Sequence, residues 1–232
     1  MKLILLSGGG PEDNVILLDA LSDILHRKQQ RSFSQSVQLA FIPADSYGSE
    51  HEFAEVVEDF LPWGVDKFLH FPVDLNLPLN KILQKEVFKS DIIFLGGGNT
   101  FHFLHTLRKK KLLTPLKDFA QRGGILIGLS AGSIMMTPTI DTASMPAFDR
   151  DDNDEHITNF KALNLVDFHF FPHYVGGDRY DRELLRFSRQ VKVPLYACTD
   201  GGGIVIDEDS FSFYGNMFSF TNGLKIRVRA IF

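Results

Sequence analysis

Gly128-Leu129-Ser130-Ala131-Gly132 sets a serine between two glycines at the spacing G-x-S-x-G, directly after the short apolar run Ile125, Leu126 and Ile127. A bounded run of that kind reads as a buried strand. In a strand-to-helix turn the pattern is a nucleophile elbow, with the serine raised on a strained turn for attack on an acyl carbon. The flanking glycines let strand, helix and substrate approach one another. The backbone N–H of Ala131, the residue after the serine, is then one candidate oxyanion donor, and the Gly97-Gly98 turn is the candidate for the other. A structural alternative exists, in which small residues merely let a strand pack against a helix.

A serine hydroxyl needs a general base, and the base needs an orienting acid. The chain has eight histidines. His26, His51, His102 and His105 fall in helical stretches, where solvation or packing explains them. His70 follows a strand without a motif around it, His156 sits in an acidic segment, and His169 lies within an aromatic strand. His173 directly follows a strand, between Pro172 and the Gly176-Gly177 pair, and is the preferred base. Asp200, at another strand end and followed by glycines, is the preferred acid, with Asp141, Asp167 and Asp178 as rivals. Cys198, between Ala197 and Thr199, reads as a buried strand residue rather than a second nucleophile.

These residues need a scaffold that gathers strand ends. Residues 2–6 read as a strand ending in Ser7-Gly8-Gly9-Gly10, and residues 11–26 carry Val15, Leu18, Leu21 and Leu25 at helical spacing. The pattern repeats: strands at 38–43, 67–71, 91–95 and 125–127, with helices at 50–60 (Ser49 as candidate N-cap), 79–88 (Asn80 near its start), 101–111 and 114–122. Residues 29–35 read as a loop. Alternating strands and helices imply an α/β fold: a mostly parallel central sheet with helices on both faces, three layers in all. Ligands gather beyond the carboxyl ends of such strands. Five of those ends carry Ser7-Gly8, Gly96-Gly97-Gly98, Ser130, His173 and Asp200.

Further along, residues 141–155 hold six carboxylates without periodicity, at a spacing unlike a calcium loop, and read as a mobile loop flanking the pocket. Residues 163–166 and 168–171 resume the sheet, 179–189 form a charged helix and 195–198 a strand. Residues 204–207, 211–214 and 225–231 suggest a closing C-terminal antiparallel meander. The Lys109-Lys110-Lys111 run reads as a solvated helix end.

Composition narrows the classes. With 232 residues and 44% hydrophobic content the chain supports one sizeable α/β domain, residues 1–232. A net charge of −5 gives no reason to expect nucleic acid or an anionic membrane. The single cysteine rules out an internal disulfide. There is no signal-peptide pattern and no run near the ~20 apolar residues of a membrane span, so cytoplasmic localisation is expected. The Gly8–Gly10 triplet matches neither nucleotide-binding pattern, and no cofactor or metal is expected. The 22 phenylalanines fit core and sheet packing better than a ligand platform.

Phe94-Leu95-Gly96-Gly97-Gly98-Asn99-Thr100-Phe101, Gly128-Leu129-Ser130-Ala131-Gly132 and Phe171-Pro172-His173-Tyr174 resemble, in that order, the signatures of the peptidase E family, whose members are aspartyl dipeptidase and, more distantly, cyanophycinase. The resemblance in layout spans nearly the whole chain. It implies a class I glutamine amidotransferase-like fold with serine in place of cysteine at the elbow, a small peptide substrate, Ser130 as nucleophile, His173 as base, and Gly97 or Gly98 with Ala131 as oxyanion hole. It also implies substrate-binding roles for Asn99 and for Arg179 or Arg182, the latter two as readers of an aspartyl side chain. The family acid is a glutamate, where this chain has the shorter Asp200. The family's Asn-Asp-Met-Pro segment is here Ala143-Ser144-Met145-Pro146, without the carboxylate. Serine peptidase chemistry on short peptides is therefore the leading expectation, in a monomer or homodimer, and aspartyl specificity is not. The alternatives are a cyanophycinase-like isopeptide hydrolase and a non-catalytic amidotransferase-like binding domain.

Overall fold

The apolar runs become strands and the 3.6-residue patterns become helices. The computed structural model describes residues 1–10, 12–30, 36–75, 78–208 and 210–231. Strands β1 (Lys2–Leu6), β2 (Gln38–Ile42), β3 (Lys67–His70), β4 (Ile92–Leu95) and β5 (Ile125–Leu129) alternate with helices α1 (Val15–Gln30), α2 (Ser49–Phe60), α3 (Lys81–Val87), α4 (Thr100–Lys109) and α5 (Leu113–Gln121). The elbow continues as the short α6 (Ala131–Ile134). Then follow β6 (His169–Phe171), α7 (Asp178–Ser188), β7 (Leu195–Cys198), β8 (Gly203–Asp207), β9 (Ser210–Tyr214), β10 (Met217–Thr221) and β11 (Leu224–Arg227). The expected helix start at Pro11 and most of the expected loop at 29–35 lie outside the described residues. Arg27, Lys28, Gln29 and Gln30 extend α1 beyond the expected end at His26.

The first sheet has the order β3-β2-β4-β5-β1-β8-β9. It is parallel from β3 to β1, and β8 and β9 add antiparallel strands at one edge. Alternate residues of its strands enter two cores. Ile4, Leu39, Phe41, Ile92 and Ile125 pack with Leu17, Leu21 and Leu25 of α1 and Val56 and Phe60 of α2. Leu3, Ala40, Ile93 and Leu126 pack on the other side with Leu104 and Leu107 of α4 and Leu116 and Phe119 of α5. Each such side chain removed from water contributes roughly 1.5–3 kcal/mol.

Two expectations are corrected. Of the segments expected to resume the first sheet, 163–166 form no strand and 169–171, as β6, leave it. The strands β6 and β7 belong to a second sheet, β11-β10-β7-β6, parallel only between β6 and β7. Their apolar residues Phe171, Leu195 and Ala197 are covered by Leu184 and Phe187 of α7, which gives this sheet a core of its own. The closing meander is likewise divided: β8 and β9 join the first sheet, whereas β10 and β11 belong to the second. Gly215, at φ 72°, follows β9 where the chain crosses over. Asn222 and Gly223, both at positive φ (53° and 77°), make the tight turn between β10 and β11, a hairpin signal that separates two strands where the sequence reading placed one.

At helix starts, Asn80 caps α3, its Oδ1 accepting from Ile82 and Leu83 N–H at 3.0 and 3.1 Å. Ser49 does not cap α2; it is the first helical residue, its hydroxyl donating to Ser46 O instead.

Candidate active site

Ser130 follows β5 with φ 50° and ψ −108°, a conformation that costs an L-residue energy and that the surroundings must enforce. Ser130 N–H donates to Leu6 O at 3.0 Å. The Ser133 hydroxyl lies 2.8 Å from Leu6 O and 2.7 Å from Gly128 O, tying the short helix to both strands. The flanking glycines are sterically required. A Cβ on Gly128 would lie 2.4 Å from the Gly132 carbonyl carbon, and one on Gly132 would lie 2.2 Å from Leu95 O.

The other two groups arrive from the second sheet. His173, just past β6, also has positive φ, at 54°. Its Nε2 is 2.7 Å from Ser130 Oγ and its Nδ1 is 2.8 Å from Asp200 Oδ1. Asp200 lies just past β7. The two sheets are stitched at this point by Ser7 and Gly8 at the end of β1. Ser7 Oγ, fully buried, accepts from His173 N–H at 2.8 Å and donates to Cys198 O at 2.9 Å. Ser7 N–H donates to Gly202 O and Gly201 N–H to Gly8 O, at 2.9 and 3.0 Å. A Cβ on Gly8 would fall 2.4 Å from Asp200 Oδ1 and 2.6 Å from His173 Cε1, so only glycine leaves room for the His–Asp pair.

The Gly96-Gly97-Gly98 turn after β4 abuts the serine, and a Cβ on Gly97 would sit 3.7 Å from Ser130 Cβ. Among the described residues no hydrogen bond uses the backbone N–H of Gly97, Gly98 or Ala131. Ser130 and His173 open into a pocket of about 400 Å³, whose wall includes Gly98, Thr142, Asp149 and Asp151.

Three comparisons bear on this arrangement. The model of peptidase family S51 matches residues 3–214. The chain belongs to this family. A peptidase E of Nostoc is 40% identical over 89 residues, 38% of this chain and 34% of that protein, so the aligned segment spans about a third of the curated peptidase E it matches. A protein of Drosophila melanogaster named as an alpha-aspartyl dipeptidase is 28% identical over 187 residues, covering 76% of this chain and 72% of its own. A crystal structure from Listeria monocytogenes, described as peptidase E, superposes over 98% of both chains with a TM-score of 0.61 at 21% identity, which establishes the shared fold.

In this S51 chain, the aspartate that stands where the resemblance implies glutamate still meets His173, because Gly8 lets the β7 end come close. Asn99 has both amide ends engaged: Oδ1 accepts from His102 N–H at 2.9 Å, capping α4, and Nδ2 donates to Asp152 O at 2.8 Å. Arg179 stacks its guanidinium on the Phe148 ring at 3.7 Å, and Arg182 is exposed on α7. None of the three lines the Ser130 pocket. The carboxylate at His173 is Asp200, and none of the rivals Asp141, Asp167 and Asp178 is hydrogen-bonded to that ring: Asp141 pairs with Thr139, and Asp178 begins α7.

A second Ser–His contact occurs elsewhere, Ser49 Oγ to His70 Nε2 at 2.9 Å. Ser49 is fully buried, and His70 stacks on Phe41 and Phe53, with burial holding its pKa below the ordinary histidine value. That pair is packing. Cys198 is buried, and burial first, then the Asp200 charge, pushes its thiol up to about 12, so it is no nucleophile. His102 binds Glu155 Oε1 at 2.5 Å and approaches Asp74 Oδ2 at 3.4 Å. Together with Asn99, and with Thr100 N–H donating to Asp151 Oδ2 at 2.7 Å, it fastens the acidic segment to α4. Sequence reading pointed to Ser130, His173 and Asp200 through their strand-end positions. It assigned no role to the Ser7 hydroxyl or to Asp149 and Asp151, which no spacing relates to the elbow.

Proposed function

We propose that the protein is a serine peptidase that hydrolyses short peptides through an acyl-enzyme. The observation that carries this reading is the placement of His173 between Ser130 and Asp200, at hydrogen-bonding distance from both. With Nδ1–H donated to Asp200, Nε2 accepts the Ser130 proton as Oγ attacks the scissile carbonyl carbon. The electron pair moves onto the carbonyl oxygen, where the N–H groups of Ala131 and of Gly97 or Gly98 receive the charge. Collapse breaks the C–N bond, and the amine leaves with the proton held on Nε2. Water, deprotonated by His173, then cleaves the ester and regenerates Ser130.

The finer architecture belongs to the same reading: one domain of three α/β/α layers, class I glutamine amidotransferase-like, acting in the cytoplasm as a monomer or homodimer. The family membership supports a hydrolytic role over a purely binding one. The test is labelling by a fluorophosphonate probe together with a dipeptide library. Wild type labels at Ser130 and cleaves, and Ser130→Ala does neither while keeping its melting temperature. Wild-type turnover by Ser130→Ala refutes the proposal.

A further inference from the structure

The charges around the nucleophile have a single sign. The pocket into which Ser130 opens is walled by Gly98, Thr100, Ile134, Thr142, Ala143, Met145, Phe171 and Pro172 as uncharged groups, and its anionic groups are Asp149 and Asp151. No lysine or arginine lines it among the described residues. Asp149 Oδ2 accepts from the Tyr180 hydroxyl at 2.7 Å and Asp151 Oδ2 from Thr100 N–H at 2.7 Å, so each carboxylate is held in place by a neutral donor. Arg150, between the two aspartates in sequence, lines a neighbouring recess with Asp152 and Asn153 instead of this pocket, and Arg179 is stacked on the face of Phe148. On the other side of the Gly96–Gly98 turn a second pocket, of about 290 Å³, is rimmed by Glu52, Glu55 and Asp59 over the aromatic floor of Phe41 and Phe94. Both recesses beside the oxyanion turn are therefore acidic.

An independent feature shows that the Ser130 pocket is shaped for a polar occupant. Thr142, in its wall and 1% exposed, has a hydroxyl oxygen with no hydrogen-bond partner among the described residues. A buried hydroxyl without a partner costs about 1–3 kcal/mol, which a polar substrate group reached by a small rotation of the side chain would recover.

We propose that this pocket selects peptides whose acyl-side residue carries a basic side chain, lysyl or arginyl, with Asp149 and Asp151 as its specificity-determining residues. This rests on the serine-peptidase reading for catalysis but makes a separate claim about binding. An aspartyl side chain would meet two like charges at short range, and like-charge juxtaposition is disfavoured strongly enough to reject a substrate. A lysyl side chain gains what the aspartyl one loses.

The experiment measures binding first, in Ser130→Ala protein by calorimetry, with Lys-Leu, Met-Leu and Asp-Leu and with their Nα-acetylated forms. Expected is an affinity order Lys, then Met, then Asp, with on the order of tenfold between Lys and Met, retained after acetylation. Asp149→Asn and Asp151→Asn keep the acceptor oxygens for Tyr180 and Thr100 and should each reduce the Lys-over-Met ratio of the acetylated peptides by severalfold. Equal affinity for Lys and Met, tighter binding of Asp-Leu, or a preference that vanishes on acetylation overturns the proposal. Turnover of the same peptides by wild type is then compared. Cleavage without charge preference sinks the specificity claim alone, whereas Lys-selective binding with no cleavage and no Ser130 labelling sinks the peptidase reading alone.

Discussion

Gly8→Ala adds one methyl group at the seam between the two sheets, and its effect can be worked out from distances. The new Cβ would lie 2.4 Å from Asp200 Oδ1, 2.6 Å from His173 Cε1 and 2.8 Å from His173 Nδ1, while ordinary contact begins at 3.4 Å. Something must move by about 1 Å. Gly8 is not among the positive-φ glycines, so alanine's backbone preferences are met. The atoms in the way are ends of side chains that are 50% and 53% exposed, free to swing toward solvent. The backbone therefore holds and the 2.8 Å His173–Asp200 bond breaks. A misplacement of about 1 Å in a catalytic group costs on the order of 10²-fold in rate, and loss of the group that fixes the histidine tautomer can cost more. The expectation is a fall in kcat/KM of about 10² or more, carried by kcat, with the urea midpoint changed by less than about 1 kcal/mol equivalent. Steady-state kinetics on a cleaved dipeptide and a denaturation curve on the same preparation decide it. Full activity in Gly8→Ala would mean that the pair at Asp200 is not what orients His173.

Other expectations follow from the same geometry. Ser7→Ala leaves the half-buried His173 N–H without its acceptor and should cost about 1 kcal/mol of stability, read by urea denaturation, with kcat lowered more than KM is raised. Gly132→Ala puts a methyl against the backbone oxygen of Leu95, which cannot yield, and should destabilise by about 3 kcal/mol or more, visible as a large drop in melting temperature. Cys198, its thiol pushed up to about 12 by burial, should resist iodoacetamide at pH 8 until the protein is unfolded, as mass spectrometry would show. For His102, burial pulls the pKa down, but the hydrogen bonds to Glu155 and Asp74 outweigh it and leave the value raised. Its contribution is full below the ordinary 6.5 and is lost as pH rises through the raised value, while the lowered Glu155 and Asp74 contribute above their ordinary 4.5 and 3.8 and lose that contribution as pH falls. Protection of residues 145–155 from limited proteolysis should therefore peak between those bounds, 4.5 and 6.5, and His102→Gln should remove the decline on the alkaline side.

Much of this was legible in the sequence because local patterns encode it. The strand runs and glycine turns at Leu6, Leu95 and Leu129 mark where a parallel sheet ends, and such ends are where chemistry collects. The division into two sheets was not legible. Residues 168–171 and 195–198 are as apolar as the first-sheet strands, and only their pairing, fixed by contacts distant in sequence, assigns them elsewhere. The Asn222-Gly223 turn was a local hairpin signal, and reading only 225–231 as a strand left its partner at 217–221 unassigned. Asp149 and Asp151 belong to a segment with no period, so what holds them at the pocket, a tyrosine hydroxyl of α7 and an α4 N–H, is entirely tertiary. The 2.8 Å reach of Asp200 to His173 depends on the missing side chain at Gly8, 192 positions earlier in the numbering.

Because the serine and the glycine turns stand on one sheet and the histidine and aspartate on the other, the 2.7 Å contact between Ser130 and His173 bridges two sheets that meet in a shared core, where Leu3 and Leu5 join Phe170, Cys198 and Met217. Its length is a gauge of how those sheets sit. A shift of one against the other by the width of a hydrogen atom would leave every strand intact, yet part the His173 ring from the Ser130 hydroxyl. Substitutions on the outer face of α7 or in the β10–β11 hairpin, far from any substrate, thus have a direct mechanical route to the reaction rate.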